Sequence, residues 1–241
     1  MLIAFDHLIF LTHDLDVTAA AFERLGFAIT ERDDLEPGAT ENKLVVFVDG
    51  SYIEIVRFAD PAMLPKHRFK ALAETGGWAE AVIRVDDLAA HLDALVAADV
   101  PISPLRVVRK DLRSGETWEV AMSHLGRGVA SPLMPMLAED RSPHALRVPD
   151  YATVHPNGAK SVRSVTMVSQ DGAPAGYEVL FPGQTGPDFG FGEGRRVHLA
   201  RPGDHMGHLA ARGDGIVSIE VSLADGQTLT LSADDVLGLT V

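Results

Sequence analysis

The sequence predicts an α+β fold, with two consecutive β-α-β-β-β modules followed by a β-rich C-terminal extension. The first observation behind this prediction is a strand-helix pattern that occurs twice. Aligning Asp14 with Asp87 needs no gap through either helix and places His7 on Glu80. The other two observations are a strong hairpin signal inside the first module and a clean alternation of apolar and polar residues near the C-terminus. Together they indicate a duplicated module with extra sheet attached.

The first module is predicted to contain a strand, a helix and three further strands. Asp14 is a suitable N-cap for the helix, and Gly26 ends it. Asp49-Gly50 lies between two apolar runs, which is the strongest short signal for a β-hairpin. The predicted strands of this module are residues 2–11, 27–30, 43–48 and 51–56.

The second module repeats this order, with a helix over residues 87–98. Its remaining strands are predicted near residues 102–109, 117–123 and 133–138. In the extension, residues 216–223 alternate between apolar and polar side chains, as in a sheet with one solvent-exposed face. The predicted division of the chain is a first module 1–58, a linker 59–77, a second module 78–142 and a C-terminal extension 143–241 packed on the modules.

The composition restricts the class of protein. The 241 residues contain no cysteine, so disulfides, thiolate metal sites and a cysteine nucleophile are excluded. The net charge of −13, without a stripe of Lys and Arg, argues against nucleic-acid binding. No apolar run is long enough to span a membrane, and the N-terminus is predicted to be a first strand, not a signal peptide. We therefore expect a cytoplasmic protein.

The tandem modules, with a polar residue in each first strand and Glu54 in the fourth strand, resemble the vicinal-oxygen-chelate superfamily. That superfamily includes glyoxalases, extradiol dioxygenases and bleomycin-resistance proteins. Within it, the chain looks most like the glyoxalase-like domain proteins. The superfamily resemblance covers roughly residues 1–140, and the narrower one continues through the last third. It depends on Asp6-His7, Asp14-Leu15, Asn42, Tyr52-Ile53-Glu54 and the later run His155-Pro156-Asn157-Gly158-Ala159.

The resemblance implies that the modules form a curved, half-open barrel whose first and fourth strands supply metal ligands. His7, Glu54 and Glu80 occupy three of those positions. Imidazole and carboxylate ligands suit a divalent ion such as Fe, Mn, Zn or Ni. The fourth position is predicted to be Ala138, which has no ligand atom. Glu139 would need a one-residue shift, which turns a strand side chain to the opposite face.

Simpler explanations compete with the metal site. An ionised Glu54 inside a barrel needs a partner, and Arg84 or Arg57 would serve as well as a metal. Glu80 and Arg84 have the spacing for an ion pair on one face of a strand. His205 and His208 are separated by three residues, but the nearby glycines and proline favour a surface turn over a second metal site.

Three functions remain open. The leading hypothesis is a metal-dependent lyase, isomerase or dioxygenase that chelates adjacent oxygens of a small molecule, with Glu54 and Glu80 as candidate catalytic carboxylates. The second is a metal-free small-molecule binding or resistance-type protein, in which Glu80 pairs with an arginine. The third is a structural or dimerisation module whose cleft is filled by Trp78, Phe5 and Met122. A homodimer is compatible with each of them.

Overall fold

The computed structural model describes residues 2–36, 38–126, 132–190, 192 and 194–238. Within them, the strands form a seven-stranded sheet and a five-stranded sheet. The strands of the first sheet are β1 (Leu2–Leu11), β2 (Thr40–Val46), β3 (Tyr52–Phe58), β4 (Gly77–Val85), β5 (Arg106–Asp111), β6 (Thr117–Ser123) and β7 (Met136–Asp140), in the spatial order β2-β3-β1-β4-β7-β6-β5. The strands of the second are β8 (Ala159–Val168), β9 (Asp188–Gly190), β10 (Arg196–Ala200), β11 (Gly215–Leu223) and β12 (Thr228–Ser232), in the order β12-β11-β8-β10-β9.

The helices are short and lie between the strands. They are α1 (Leu15–Arg24), α2 (Leu88–Ala97), α3 (His144–Arg147), α4 (Tyr177–Leu180), α5 (Met206–Arg212) and α6 (Ala233–Leu237), together with 3-10 helices at Pro61–Lys66, Arg68–Leu72 and Pro202–His205. The segment containing His205 and His208 is therefore helical, and the surface turn predicted there is wrong. None of the helices described is long and apolar enough to cross a membrane. The predicted α+β class, with a curled half-barrel sheet and a β-rich extension, is confirmed.

The duplication is visible in the pairing of β1 with β4, the central strands of the first sheet. His7 lies opposite Val82, and Ile9 lies opposite Glu80. An offset of 73 residues superposes His7 on Glu80 and Ile9 on Val82. The pair of His7 with Val82 is therefore equivalent to the pair of Glu80 with Ile9. Asp14 and Asp87 cap α1 and α2 with their carboxylates, as the aligned positions predict.

The strand predicted at residues 27–30 is wrong. Only Thr30 pairs with a strand residue, through an isolated bridge to Leu44. The reason is that the Ala28 N–H donates to the His155 imidazole, 3.0 Å away, and is not available to a neighbouring strand. The first module therefore contributes one strand fewer to the sheet than the second.

The two faces of the first sheet have different partners. Its convex face carries Leu8 and Phe10, which pack with the buried sides of α1 and α2 and with strands of the second sheet in one continuous core. Its concave face carries Ile9 and Leu11, which belong to a separate apolar cluster. The alternation along β1 thus gives one face to the core and leaves the other to line a cavity.

The C-terminal extension is attached through the run that begins at His155. The His155 ring donates from Nε2 to the Val46 carbonyl, 3.0 Å away, while Nδ1 accepts from Ala28. Asn157 donates from Nδ2 to the Leu25 carbonyl, 2.8 Å away, at the end of α1. A side chain at Gly26, which has φ +85°, would come within 2.8 Å of Asn157. The four-part division of the chain stays a proposal, but this run clearly ties the extension to the first module.

We expect His155→Phe to destabilise the fold by about 2 kcal/mol, because it leaves the buried Val46 carbonyl and the half-buried Ala28 N–H without a partner. The free energy of unfolding in urea measures this loss. His91→Phe is the control, because the His91 ring bonds to the Asp87 carbonyl at an exposed position. Equal losses in both variants would contradict the assigned role of His155.

Candidate functional site

The concave face of the first sheet encloses a cavity of about 450 Å³. β1, β2, β3, β5, β6 and β7 form its walls, and the 3-10 helices of residues 61–72 form another side. Trp78 and Phe5, which were predicted to fill the cleft, belong to the core on the convex face. Met122 lines the cavity without filling it. The prediction of a cleft closed by its own side chains is therefore wrong.

His7 lies on the cavity floor and is held in place on two sides. The β1 strand has a bulge between Phe5 and His7, so the intervening Asp6 carboxylate reaches the His7 ring, with Oδ1 2.6 Å from Nδ1. The ring stacks on Tyr52 at a centroid distance of 4.4 Å. The other ring nitrogen, Nε2, is 3.7 Å from Glu54 Oε2, which is too long for a hydrogen bond.

Glu54 is paired with an arginine that the sequence did not indicate. Arg32 Nη1 donates to Glu54 Oε1 at 2.6 Å. Burial alone would raise the pKa of the Glu54 carboxyl, but the charge of Arg32, followed by that of His7, brings the pKa below its ordinary value. Arg57, one of the two predicted partners, pairs with Glu41 instead.

Glu80 is paired with a different arginine, at the other central strand. Arg68 donates to Glu80 Oε2 from Nε at 3.1 Å and from Nη2 at 2.8 Å. The second oxygen, Oε1, lies 3.2 Å from His124 Nδ1. Burial opposes ionisation of Glu80, but Arg68 and then His124 lower its pKa below the ordinary value. The predicted pair of Glu80 with Arg84 is wrong, because the Arg84 guanidinium is 3.8 Å from Asp140.

The fourth ligand position was also misplaced. Ile9 lies opposite Glu54 in the parallel pair of β1 and β3, and its counterpart Val82 lies opposite Met136 in the parallel pair of β4 and β7. Met136 is therefore the counterpart of Glu54, and Ala138 is two residues further along. Glu139 turns away from the cavity and accepts from the Leu88 N–H at the start of α2, 2.9 Å away.

These residues do not fit a resident divalent ion. Both oxygens of Glu80 and one of Glu54 already accept from cationic or imidazole groups, and the fourth position carries a thioether, which is a soft donor unsuited to hard ions. A dication added to two carboxylate–guanidinium pairs beside the His7 ring would bring uncompensated positive charge into a buried site. Such charge is costly in a low dielectric. The ligand set of His7, Glu54 and Glu80 therefore stays a prediction. The guanidinium groups of Arg32 and Arg68 would compete with a metal ion for the two carboxylates.

A second group of ligand types lies just behind His7. One atom each from Asp6, Asp140 and His144 lies within 4.8 Å of the others. Arg147 already occupies this group. Its guanidinium donates to both oxygens of Asp6 at 3.0 and 2.9 Å and to Asp140 Oδ1 at 2.9 Å. Burial by itself would raise the pKa of Asp6, but Arg147 and His7 hold it well below the usual range.

Sequence reasoning missed most of the charged groups around the cavity. Arg32 lies in a loop and Arg147 in a four-residue helix, so neither belongs to a periodic pattern that points to the site. Arg68 lies in the segment predicted as a linker, which forms a cavity wall instead. One signal was available. Arg106 and Lys110 are four residues apart along β5, an even spacing, and therefore share a face.

Comparisons with known proteins agree with this architecture. A profile of the glyoxalase-like domain family matches residues 5–178. A hypothetical protein from Staphylococcus aureus aligns over 94% of this chain and 97% of its own, with 12% identity and a TM-score of 0.69. A xylose isomerase-like TIM barrel/4-hydroxyphenylpyruvate dioxygenase fusion protein aligns over 92% of this chain and 37% of its own, with 19% identity and a TM-score of 0.54.

Methylmalonyl-CoA epimerase from Mycobacterium tuberculosis aligns over 58% of this chain and 91% of its own, with 18% identity and a TM-score of 0.44. No curated protein matches the chain. The fold is that of the vicinal-oxygen-chelate superfamily, as its sequence resemblance implied. Since the family profile spans well over half of the residues, the chain belongs to the glyoxalase-like domain family.

We expect Glu80→Gln to cost about 3 kcal/mol of stability, because it removes the charge that neutralises the largely buried Arg68. Chemical denaturation of the purified variant measures the cost. Glu119→Gln is the matched control, because Glu119 and Arg109 are 3.9 Å apart and both are well exposed. That variant should lose less than about 1 kcal/mol. A loss of the same size in the two variants would show that the Glu80–Arg68 pair contributes no more to stability than an exposed ion pair does.

We expect His67 to make the stability of the fold depend on pH. Burial, followed by the charge of Arg68, lowers its pKa to about 4. The folded protein therefore binds this proton more weakly than the unfolded chain, and the free energy of unfolding should fall as the pH drops from about 6.5 towards 4. An NMR titration of the His67 ring and unfolding curves of His67→Gln measure the effect. The variant should show a shallower fall, whereas a His67 ring that titrates at its ordinary pKa would contradict this.

Proposed function

We propose that this protein binds a small molecule in the concave cavity without a resident metal ion. The observation that carries the proposal is the pairing of each candidate carboxylate with its own arginine, Glu54 with Arg32 and Glu80 with Arg68. The metal-free hypothesis required an arginine partner for Glu80. Each pair is neutral as a unit, so the site has no excess negative charge that would attract a dication.

The cavity has the size and the surface of a small-molecule site. A volume of about 450 Å³ lies within the range of ligand pockets, which is roughly 300–1,000 Å³. The walls are mainly apolar, and a few polar side chains converge on the floor. His7 exposes Nε2 towards Glu54, and its ring is held by Asp6 and Tyr52. Such a preorganised floor supports binding with a defined orientation.

The pKa shifts of the carboxylates fit binding better than proton transfer. A general base works best when its pKa lies near the working pH. The pKa values of Glu54 and Glu80 are instead lowered by their arginine partners. Both carboxylates are therefore ionised and weakly basic near neutral pH. We accordingly assign them to holding Arg32 and Arg68 in the walls of the site.

The second candidate is the metal-dependent enzyme of the lyase, isomerase or dioxygenase type, with His7, Glu54 and Glu80 as ligands and the two glutamates as catalytic groups. The proximity of His7 Nε2 and Glu54 Oε2, 3.7 Å apart, favours it. It requires Arg32 and Arg68 to leave their carboxylates. A cytoplasmic location and a homodimer are compatible with both candidates, and we keep both as proposals.

We expect protein purified without a metal-affinity column to contain far less than one equivalent of Fe, Mn, Zn or Ni by elemental analysis. Adding each of these ions should leave the melting temperature unchanged, because the ligand atoms are already engaged. The same measurements on His7→Ala and Glu54→Ala provide the comparison. Stoichiometric metal in the parent protein, lost in both variants, would overturn the proposal and favour the metal-dependent enzyme.

A further inference from the structure

We infer that the cavity takes an organic anion, with its apolar part against the walls and its negative group at the rim among Lys66, Arg106 and Lys110. This inference rests on the proposed function, because it names the class of ligand for the same cavity. It follows from the balance of charges around the cavity and from the chemistry of the walls.

Cationic side chains outnumber carboxylates around the cavity. Six Lys and Arg side chains line the cavity, compared with the carboxylates Asp34 and Glu54 in the described part of its lining. This positive lining occurs in a chain with a net charge of −13. A concave surface of one sign, backed by low-dielectric walls, concentrates its field and attracts ligands of the opposite sign.

Three of the six cations are already neutralised by carboxylates. Arg32, Arg68 and Arg147 pair with Glu54, with Glu80 and with Asp6 and Asp140. All of these pairs use buried or half-buried carboxylates. These three arginines therefore hold the walls together and have little capacity left for a ligand.

The remaining three cations have no carboxylate partner among the residues that the structure describes. Arg106 reaches only the Met122 sulfur, 3.4 Å from Nη2, and Lys110 donates to the Glu36 carbonyl at 3.0 Å. Asp34 accepts from the Trp118 ring nitrogen at 3.0 Å, so this acid is partly engaged. The rim thus carries more positive than negative charge, and a bound anion would compensate it.

The three cations approach the opening from two sides. Arg106, Val108 and Lys110 share the inner face of β5, whereas Lys66 ends the 3-10 helix on the opposite wall. Lys66, His67 and Arg106 all line this one cavity. An anionic group at the opening can therefore interact with cations from both walls.

The interior of the cavity is mainly apolar. Below the rim, the cavity is lined by apolar side chains from four strands, among them Ile9, Val56, Phe58, Trp118, Val120 and Met136. Burying apolar ligand surface against them contributes about 25 cal/mol per Å². A free inorganic anion would leave this surface unused, and an extended polyanion would not fit the volume. An organic anion with an apolar body satisfies both parts of the site.

The test compares ligands that share an apolar body but differ in charge. The probes are 4-phenylbutyrate, 3-phenylpropyl phosphate and the neutral 4-phenylbutanamide, which all carry a phenylpropyl group, added to metal-free protein. Tryptophan fluorescence reports binding, because Trp118 lines the cavity while Trp78 lies in the core. We expect at least one anion to bind about fivefold or more tightly than the amide, and this preference should decrease with added salt. The stronger of the two anions identifies the preferred group, carboxylate or phosphate.

Substitutions on a single strand provide the matched control. Arg106→Gln and Lys110→Gln should each weaken binding of the anion by about two- to fivefold, the range expected for a partly exposed ion pair. Arg109→Gln removes the same charge from the outer face of β5 and should leave the affinity unchanged. None of the three should affect binding of the amide.

The outcomes separate the inference from the proposed function. Equal affinity for the anions and the amide, or equal loss in Arg109→Gln and Arg106→Gln, would overturn the assignment of an anionic ligand while leaving a small-molecule site in place. Failure of all three probes to bind at millimolar concentration would contradict the proposed function, and the inference would fall with it.

Discussion

The buried guanidinium of Arg147 holds the candidate site together. It is 4% exposed, and it joins Asp6 on β1, Asp140 on β7 and the Tyr52 hydroxyl on β3. Removing one member of such a group leaves buried charges uncompensated, at a cost of about 3–5 kcal/mol. Through Asp6 and Tyr52 the same group positions the His7 ring from two sides. The geometry of the cavity floor therefore depends on an arginine that follows the second module.

The two modules share a backbone arrangement but have diverged in the side chains on the concave face of the sheet. Equivalent positions carry His7 and Glu80 in one case and Glu54 and Met136 in the other. Each acid has acquired its own arginine, and the two arginines come from unrelated segments, Arg32 after α1 and Arg68 between the modules. The duplication has therefore preserved the cavity while its polar groups have become asymmetric.

The sequence predicted the fold better than the site. Helix caps such as Asp14 and Asp87, and the Asp49-Gly50 turn, are local signals, and the alignment of the two modules follows from them. The strand predicted at residues 27–30 failed because a distant residue, His155, takes its backbone donor. The partners predicted for Glu54 and Glu80 were wrong because the actual partners, Arg32 and Arg68, also come from other segments of the chain. The ion pairs inside the cavity depend on how loops fold over it. The periodicity of apolar residues in the sequence carries no information on that.

The position of β5 at the edge of the seven-stranded sheet has a further consequence. An edge strand exposes unpaired backbone groups and is a ready template for the strand of another molecule. Here three of its six residues, Arg106, Arg109 and Lys110, are cationic, so the edges of two copies repel one another. Two of these residues, Arg106 and Lys110, are also the ones that we assign to ligand recognition, so the same charges suit an edge that must not pair with another copy. Selection for solubility and selection for the ligand would then act on the same short strand.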